Sequence, residues 1–277
     1  MPATEPSLLI LIPAYNEEAR IGPVLREYGR YFQTNYTGKF QVVVVLNGCR
    51  DNTVGVVREV AKEFPQVSFL DFHDPIGKGG ALIEGLKLAP LADLIGYVDA
   101  DGATGPVALH TLAKRLGEAD CVIGSRWLPG AVLHQSQPWI RRVISRTGHF
   151  VVETLFGMRI QDTQCPCKIL RRAAVEKIHS ALEITDLAFD VNLLVSLHRA
   201  GLRVIEVPIE WTDKAGSKVS ASLFRSSLFT FLSVLRIWLI YSRFQSLTRP
   251  LLPLQGWLYR KLQAARLSPG PNPEKKG

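Results

Sequence analysis

The sequence predicts an α/β fold: a mostly parallel sheet flanked by helices, followed by C-terminal amphipathic helices suited to a membrane interface. Three observations predict it. Short β-rich apolar runs alternate with stretches of helical period through the first half, as βαβ units do. The loops after those runs collect Gly, Asp, Asn and Lys, where ligands of open α/β sheets gather beyond the strand ends. Charge is also segregated. From Lys214 onward there are eleven Lys and Arg against one acid, Glu274, so the whole positive excess of a +8 chain lies in the tail.

Leu8 to Ile12 is an apolar run closed by Pro13 and reads as the first strand. Glu17 to Phe32 carries Ile21, Val24, Leu25, Tyr28 and Phe32 at helical spacing. Gln41 to Leu46 is almost wholly apolar, the pattern of a strand buried on both faces. Asp51, Asn52 and Thr53 supply N-cap chemistry for a helix through Phe64. Further strands are expected at Val67 to Phe72, Leu94 to Val98 and Asp120 to Ile123, with helices near Lys78 to Leu88 and Pro106 to Leu116. The second half is less regular. Pro138 to Gly157 reads as helix, Gln161 to Lys168 as loop, Asp190 to Ala200 as helix and Val204 to Val207 as a short strand. The organisation expected is a catalytic domain over 1–220, basic and aromatic membrane-associating helices over 221–267, and a disordered Pro/Gly/Lys-rich end over 268–277.

A chain of 277 residues, 47% hydrophobic and 21% charged, can bury one sizeable core. Met1 to Ser7 lack a positive n-region, so no secretory leader is expected. Cys49, Cys121, Cys165 and Cys167 do not form a secreted disulfide framework, and Cys165-Pro166-Cys167 is too closely spaced for a zinc knuckle. Reduced thiols in the cytoplasm are the reading.

Leu223 to Phe244 is strongly apolar but interrupted by Arg225, Arg236 and Arg243. An arginine near the middle of a spanning helix costs roughly 2.5–3.5 kcal/mol on insertion scales. At about 100° per residue the three arginines return to within about 20° of one face, as in a helix lying in the membrane interface. The competing reading is a helix packed on the catalytic domain with its arginines in water. Leu254 to Leu267, with Trp257 and Tyr259 beside Arg260 and Lys261, adds a second short segment. Peripheral attachment to the cytoplasmic face of a membrane is therefore expected. Nucleic-acid binding through this tail lacks any recognition motif.

Asp99-Ala100-Asp101 ends the apolar run at Leu94 to Val98 and is followed by Gly102-Ala103-Thr104. Like charges in close quarters resist ionising together, and a hard divalent cation removes that cost while taking further oxygens from water and phosphate. An isolated D-x-D is more often an ordinary acidic turn; here other motifs accompany it. Pro13-Ala14-Tyr15-Asn16-Glu17 places backbone amides and a ring where a nucleotide base fits. Gly77-Lys78-Gly79-Gly80 offers free backbone N–H groups and an ammonium before a helix, an anion site or simply a glycine turn.

Together with Gly124-Ser125-Arg126, Asp162-Thr163-Gln164-Cys165, Ala188-Phe189-Asp190-Val191 and Gly216-Ser217-Lys218, these strings resemble the family 2 glycosyltransferases of GT-A fold, and among them the dolichyl-phosphate β-glucosyltransferases. The likeness runs from about Leu8 to Phe244, in the same order, and the D-A-D-G-A-T string points to the glucosyl branch. The resemblance implies a Rossmann-like GT-A domain, a Mg²⁺ or Mn²⁺ cofactor, and transfer of glucose from UDP-glucose to a polyprenyl phosphate with inversion. It implies that Pro13, Ala14, Tyr15, Glu17, Asn47 and Asp51 hold the uridine, and that Asp99, Ala100 and Asp101 hold the sugar nucleotide, with Asp99 and Asp101 on the metal. Lys78 and Arg126 fall near phosphates, Gln164 and Lys168 on the acceptor side with Arg126, Asp190 beneath the sugar, and Lys218 against a phosphate. Asp101, Asp190, Arg126 and Lys218 are thus the implied catalytic set.

Three departures stand out. Leu46-Asn47-Gly48-Cys49 replaces the family's Asp-Asp-Gly-Ser pattern, Cys165-Pro166-Cys167-Lys168 replaces Cys-Gly-Phe-Lys, and the N-terminal anchor usual in eukaryotic members is not seen. A phosphate monoester has its second pKa near about 6, so it attacks as a dianion without a general base. Asp190 has an alternative reading as a helix N-cap, and none of the six histidines is assigned a role. The rivals are GDP-mannose as donor, a soluble acceptor, and a nucleotide-sugar binder without turnover; an oligomer is compatible with the sequence.

Overall fold

The computed structural model describes residues 4–134, 139–212 and 223–241, except for the side chains of 139–145, 147, 149 and 223–229. Lys218, the segment from Leu254 to Leu267 and the end from Ser268 lie outside the described residues. The strands are β1 (Leu8–Ala14), β2 (Phe40–Asn47), β3 (Val67–Phe72), β4 (Leu94–Tyr97), β5 (Cys121–Ser125), β6 (Val132–Leu133), β7 (Lys168–Arg171), β8 (Val204–Pro208) and β9 (Glu210–Trp211). The helices are α1 (Ile21–Asn35), α2 (Thr53–Glu63), α3 (Gly77–Leu86), α4 (Pro106–Arg115), α5 (Trp139–Phe156), α6 (Arg172–Ile178), α7 (Phe189–Arg199) and α8 (Leu223–Tyr241).

Seven strands form one sheet in the order β3-β2-β1-β4-β7-β5-β8, and β6 pairs with β9 beside it. All pairings in the large sheet are parallel except those of β7, which runs antiparallel between β4 and β5. Leu8, Ile10 and Ile12 alternate with Leu9 and Leu11 onto two separate apolar clusters, one on each face. One face is covered by α1, α2 and α4, through residues such as Leu25, Tyr28, Val57 and Leu109. The other is covered by α3, α6, α7 and α8, through Leu82, Val175, Leu194 and Ile237. Burial on both faces is why these strands carry continuous apolar runs rather than alternation.

Two expectations are corrected. β1 continues through Pro13 to Ala14, because β4 pairs only with Leu8 to Leu11 and Pro13 needs no donor toward that side. The loop read from Gln161 to Lys168 ends a residue early, for Lys168 opens β7. A four-residue strand set against Arg171 and Arg172 gives no periodicity to detect.

Helix α8 packs on α5 and α7. Ser233, Val234 and Ile237 are buried, whereas Phe231, Leu232 and Leu235 are 47%, 45% and 36% exposed. Arg236 is mostly covered and its guanidinium lies 3.6 Å from Glu183; the Arg225 side chain and Arg243, the other arginines of the expected stripe, lie outside the described residues. Phe150 on α5 is also exposed. Among the described residues no helix is long and apolar enough to cross a membrane.

The start of α3 is set by close approach. A Cβ at Gly79 would lie 2.4 Å from the Ile184 carbonyl oxygen and 2.7 Å from Phe189 Cβ, and Gly80 N–H donates to the Thr185 carbonyl at 3.2 Å. Helix propensity alone favours alanine over glycine by about 1 kcal/mol, but overpacking against backbone costs about 1–3 kcal/mol. Gly79→Ala is therefore expected to destabilise the protein by about 1–2 kcal/mol, seen as a lower urea midpoint at unchanged slope.

Candidate active site

Two loops at the carboxyl ends of β1 and β2 are laced together. Arg50 N–H donates to Asn16 Oδ1 at 2.7 Å, Glu17 N–H to Thr53 Oγ1 at 2.7 Å, and Asn52 N–H to Glu18 Oε2 at 2.8 Å. Asn16 takes a positive φ of 53°, a conformation asparagine tolerates better than most residues. Asp51, expected at the uridine, accepts from Thr53 N–H and hydroxyl and from Glu18 N–H, so its carboxylate shapes the loop. Glu17 pairs with Arg20 at 2.6 Å. Pro13 and Ala14 close β1, and Tyr15 exposes 42% of its surface beyond them. Asn47 is buried; its Oδ1 accepts Ile76 N–H at 2.7 Å and ties the end of β2 to the start of α3.

Lys78 enters from α3 and its ammonium meets Asp99 Oδ1 at 2.5 Å. Asp101 turns one oxygen, Oδ1, to the Ala103 N–H at 2.9 Å, so Asp99, Ala100 and Asp101 form a tight turn after β4. Burial raises the Asp99 carboxyl above its ordinary range; Lys78 opposes that and neighbouring Asp101 reinforces it. Burial would lower the Lys78 ammonium, but Asp99 and Asp190 hold it above its ordinary value. Among the described residues no three His, Cys, Asp or Glu side chains converge as a complete metal cage. Asp99 and Asp101 would offer a hard divalent ion an oxygen-only partial shell, to be completed by water or phosphate oxygens.

Asp190 lies within the first turn of α7, whose N-cap is Ala188, and this removes the N-cap reading. Its Oδ1 accepts from Lys168 Nζ at 2.5 Å and from Tyr97 Oη at 2.6 Å. Lys168 was expected on the acceptor side. Its side chain is instead fully buried, with the ammonium turned inward between Asp190 and the Cys165 carbonyl at 2.6 Å. Burial pushes the Asp190 carboxyl up, yet Lys168, Lys78 and the Tyr97 hydroxyl together hold it below the ordinary carboxylate range.

Arg126 follows β5. Its Nε and Nη2 donate to the Asp162 carboxylate at 2.7 and 2.8 Å, and its guanidinium lies 5.0 Å from the Trp211 ring centre. Burial lowers the guanidinium's proton affinity, but Asp162 more than restores it and Arg126 stays charged. Gln164 is exposed beside this group. Burial lifts the Cys165 thiol to about 12 and raises the Cys167 thiol too, so neither is a thiolate at neutral pH. His110 belongs to the packing of α1 and α4, held by Tyr31 and Glu5.

The structure brings Lys78, Asp99, Asp101 and Asp190 into one electrostatic group at the sheet's carboxyl edge. Tyr97, Glu206 and Trp211 were not singled out from the sequence. Tyr97 sits inside an apolar strand, and nothing local distinguishes its hydroxyl.

Lys168→Met leaves the buried Asp190 without its nearest cation and is expected to cost about 3–5 kcal/mol at pH 7. Because the folded-state carboxyl is depressed, its stabilisation is present above the unfolded value of about 3.9 and is lost as pH falls through the folded value. In the variant the strongest group opposing the effect of burial is gone, so Asp190 takes up its proton at a higher pH than in wild type, and urea unfolding of both at pH 7 and pH 4 should show the deficit shrinking on acidification.

Comparison with known proteins bears on the family and the fold. The glycosyl transferase family 2 model matches residues 9–179. Glycosyltransferase AglD of Haloferax volcanii is 31% identical over 262 residues, 94% of this chain and 41% of that protein, so the chain spans less than half its length. The dolichyl-phosphate beta-glucosyltransferase of Drosophila melanogaster is 33% identical over 227 residues, 77% of this chain and 69% of that protein. The polyprenol monophosphomannose synthase of Mycolicibacterium smegmatis is 30% identical over 228 residues, 80% and 84% of the two chains. In fold, the chain resembles glucosyl-3-phosphoglycerate synthase from Mycobacterium tuberculosis in complex with Mn²⁺, UDP and glucosyl-3-phosphoglycerate, with TM-score 0.59, 18% identity and 83% and 80% coverage. With its GT-A architecture and a family match over most of its length, the chain belongs to glycosyl transferase family 2.

Proposed function

We propose that this glycosyltransferase moves glucose from UDP-glucose, with inversion, onto a polyprenyl phosphate of the dolichyl type. The observation that carries the reading is the juxtaposition of Asp99, Asp101 and Lys78 at one strand end with Arg126 two strands away along the same sheet edge. One set suits a nucleotide diphosphate, the other a second phosphate. The lipid phosphate and the sugar are supported by the dolichyl-phosphate beta-glucosyltransferase named above, and a UDP-sugar donor by the mycobacterial UDP complex.

A Mg²⁺ or Mn²⁺ ion on Asp99 and Asp101 would supply charge neutralisation for the departing diphosphate. Lys78 adds a fixed ammonium to the same region. The acceptor phosphate, largely dianionic at neutral pH, attacks the anomeric carbon from the face opposite the diphosphate; the carbon–phosphate oxygen bond to the acceptor forms as the bond to UDP breaks. Asp190 is a poor base because its proton affinity is depressed, so its part is to orient the sugar. Arg126, and by resemblance Lys218, meet the acceptor phosphate. The work is positioning and electrostatics.

Attachment is peripheral, at the cytoplasmic face of a membrane. Phe231, Leu232 and Leu235 on α8, with Phe150 on α5, support this as an exposed apolar face on neighbouring helices.

Wild-type protein with Mg²⁺, radiolabelled UDP-glucose and a short polyprenyl phosphate should yield a glucolipid, EDTA should stop it, and GDP-mannose should give none. Mannolipid alone would overturn the donor; no lipid product from either donor would overturn the lipid acceptor. Asp101→Asn should lower kcat on the order of 10²–10³-fold, the scale of losing one preorganised electrostatic contact, whereas a binder without turnover would be indifferent. Separately, Phe231→Ser with Leu235→Ser should reduce co-sedimentation with anionic vesicles while leaving thermal unfolding within a few degrees of wild type. Undiminished co-sedimentation would remove α8 from the membrane contact.

A further inference from the structure

We infer that Trp211 is a positioning residue for the acceptor phosphate, acting through Arg126; this rests on the transfer reaction proposed above.

Arg126 leaves the sheet's carboxyl edge directly after β5. One edge of its guanidinium is fixed by Asp162, whose Oδ2 also accepts the Arg126 backbone N–H at 2.9 Å. Asp162 is fixed in turn, because its own N–H and that of Gln161 donate to Glu206 on β8 at 3.0 and 2.8 Å. An edge-on carboxylate sets the hydrogen-bonded edge but leaves the guanidinium's faces uncovered. Trp211 supplies that second constraint, with its ring over the guanidinium carbon at 5.0 Å.

Trp211 is itself well located. It lies in β9, paired to β6, and the next residue's N–H donates to the Ala103 carbonyl at 3.1 Å. The ring is thereby tied to the turn that carries Asp99 and Asp101. Only 7% of Trp211 is exposed, and its indole Nε1 has no hydrogen-bond partner among the described residues. A buried indole N–H usually finds one. What the side chain contributes here is its π face rather than its polar handle.

A guanidinium has five N–H donors in a rigid fork. Two point to Asp162, through Nε and Nη2. The other three lie on the opposite edges, and the carboxylate and the ring together decide where they point. A phosphate dianion presents oxygens at the spacing such an edge matches. Cation–π contact contributes roughly 0.5–2 kcal/mol depending on desolvation.

Steady-state kinetics with varied polyprenyl phosphate test this. Trp211→Met keeps bulk without a π face and should raise the acceptor KM about tenfold, with the donor KM and kcat within about twofold. Trp211→Phe keeps a face without the unpartnered N–H and should stay within about threefold of wild type. In the double variant with Arg126→Lys the two effects should be non-additive, since both act on one group. Equal KM values for the Met and Phe variants, a loss confined to kcat, or additivity with Arg126→Lys would each overturn the role. If both variants fail to melt cooperatively, Trp211 is core packing and the role is overturned. Wild-type protein making no glycolipid overturns the transfer reaction itself, an outcome distinct from a wild-type enzyme that works and a Met variant with an unaltered acceptor KM.

Discussion

Lys168 and Asp190 are charges placed where water does not reach, and either is tolerated there only while the other is present. The pair stands behind the strand ends on which the chemistry depends. Asp190 is shared with Tyr97 from β4, and its field reaches Lys78, which in turn meets Asp99. Three carboxylates and two ammoniums are therefore interlocked, and the cluster keeps an excess of negative charge at the edge of the sheet. On the proposed reading this surface attracts a cation and, through that cation, a diphosphate. The antiparallel strand β7 makes it possible by carrying Lys168 into the middle of an otherwise parallel sheet, between β4 and β5.

At Arg126, proposed above to meet the acceptor, the arrangement is of another kind. Arg126 is already neutralised by Asp162, so a further anion is not drawn in by net charge alone. In the proposed reaction it is recognised by geometry, through donors whose direction is set by the carboxylate along one edge and by the Trp211 ring. On the proposed reading, one sheet edge thus combines an ionic cluster for a metal diphosphate with a fixed fork for a single phosphate group. Pre-set direction lowers the entropy lost on binding, and it is what a reaction run by positioning rather than proton transfer needs.

Most of the architecture could be read from residue pattern, because strands buried on both faces must be continuously apolar and their flanking helices amphipathic. Ser7 to Val98 shows this: β1, β2, β3 and β4 follow the apolar runs within one or two residues. The site was legible where it is built from contiguous strings, as at Asp99 to Thr104 and Gly77 to Gly80. It was not legible where function is delegated to partners far apart in the chain. Nothing at Glu206 announces that it holds the Gln161 and Asp162 backbone, 45 and 44 residues away. Nothing at Lys168 says that its ammonium turns inward, since a lysine after a loop reads as solvent-facing. Asp51 is a further case: its carboxylate accepts N–H groups of its own loop and of the neighbouring one, which the string around it does not announce.

Composition draws a boundary near residue 220, where the chain turns basic and apolar, and folding does not respect it. Ser233 of α8 donates to the buried Asp186 at 2.6 Å, and Val234 and Ile237 complete the apolar cluster beneath α3 and α7. Asp186 begins the turn into α7, and its neighbours Ile184 and Thr185 press on Gly79 and Gly80. The helix that presents Phe231 and Leu235 outward is on its other side part of the core shared with α3 and α7, the helices that carry Lys78 and Asp190. A protein divided at that boundary would lose not an accessory but one layer of its own interior, and the unit that can evolve, be swapped or be dissected is the domain together with α8.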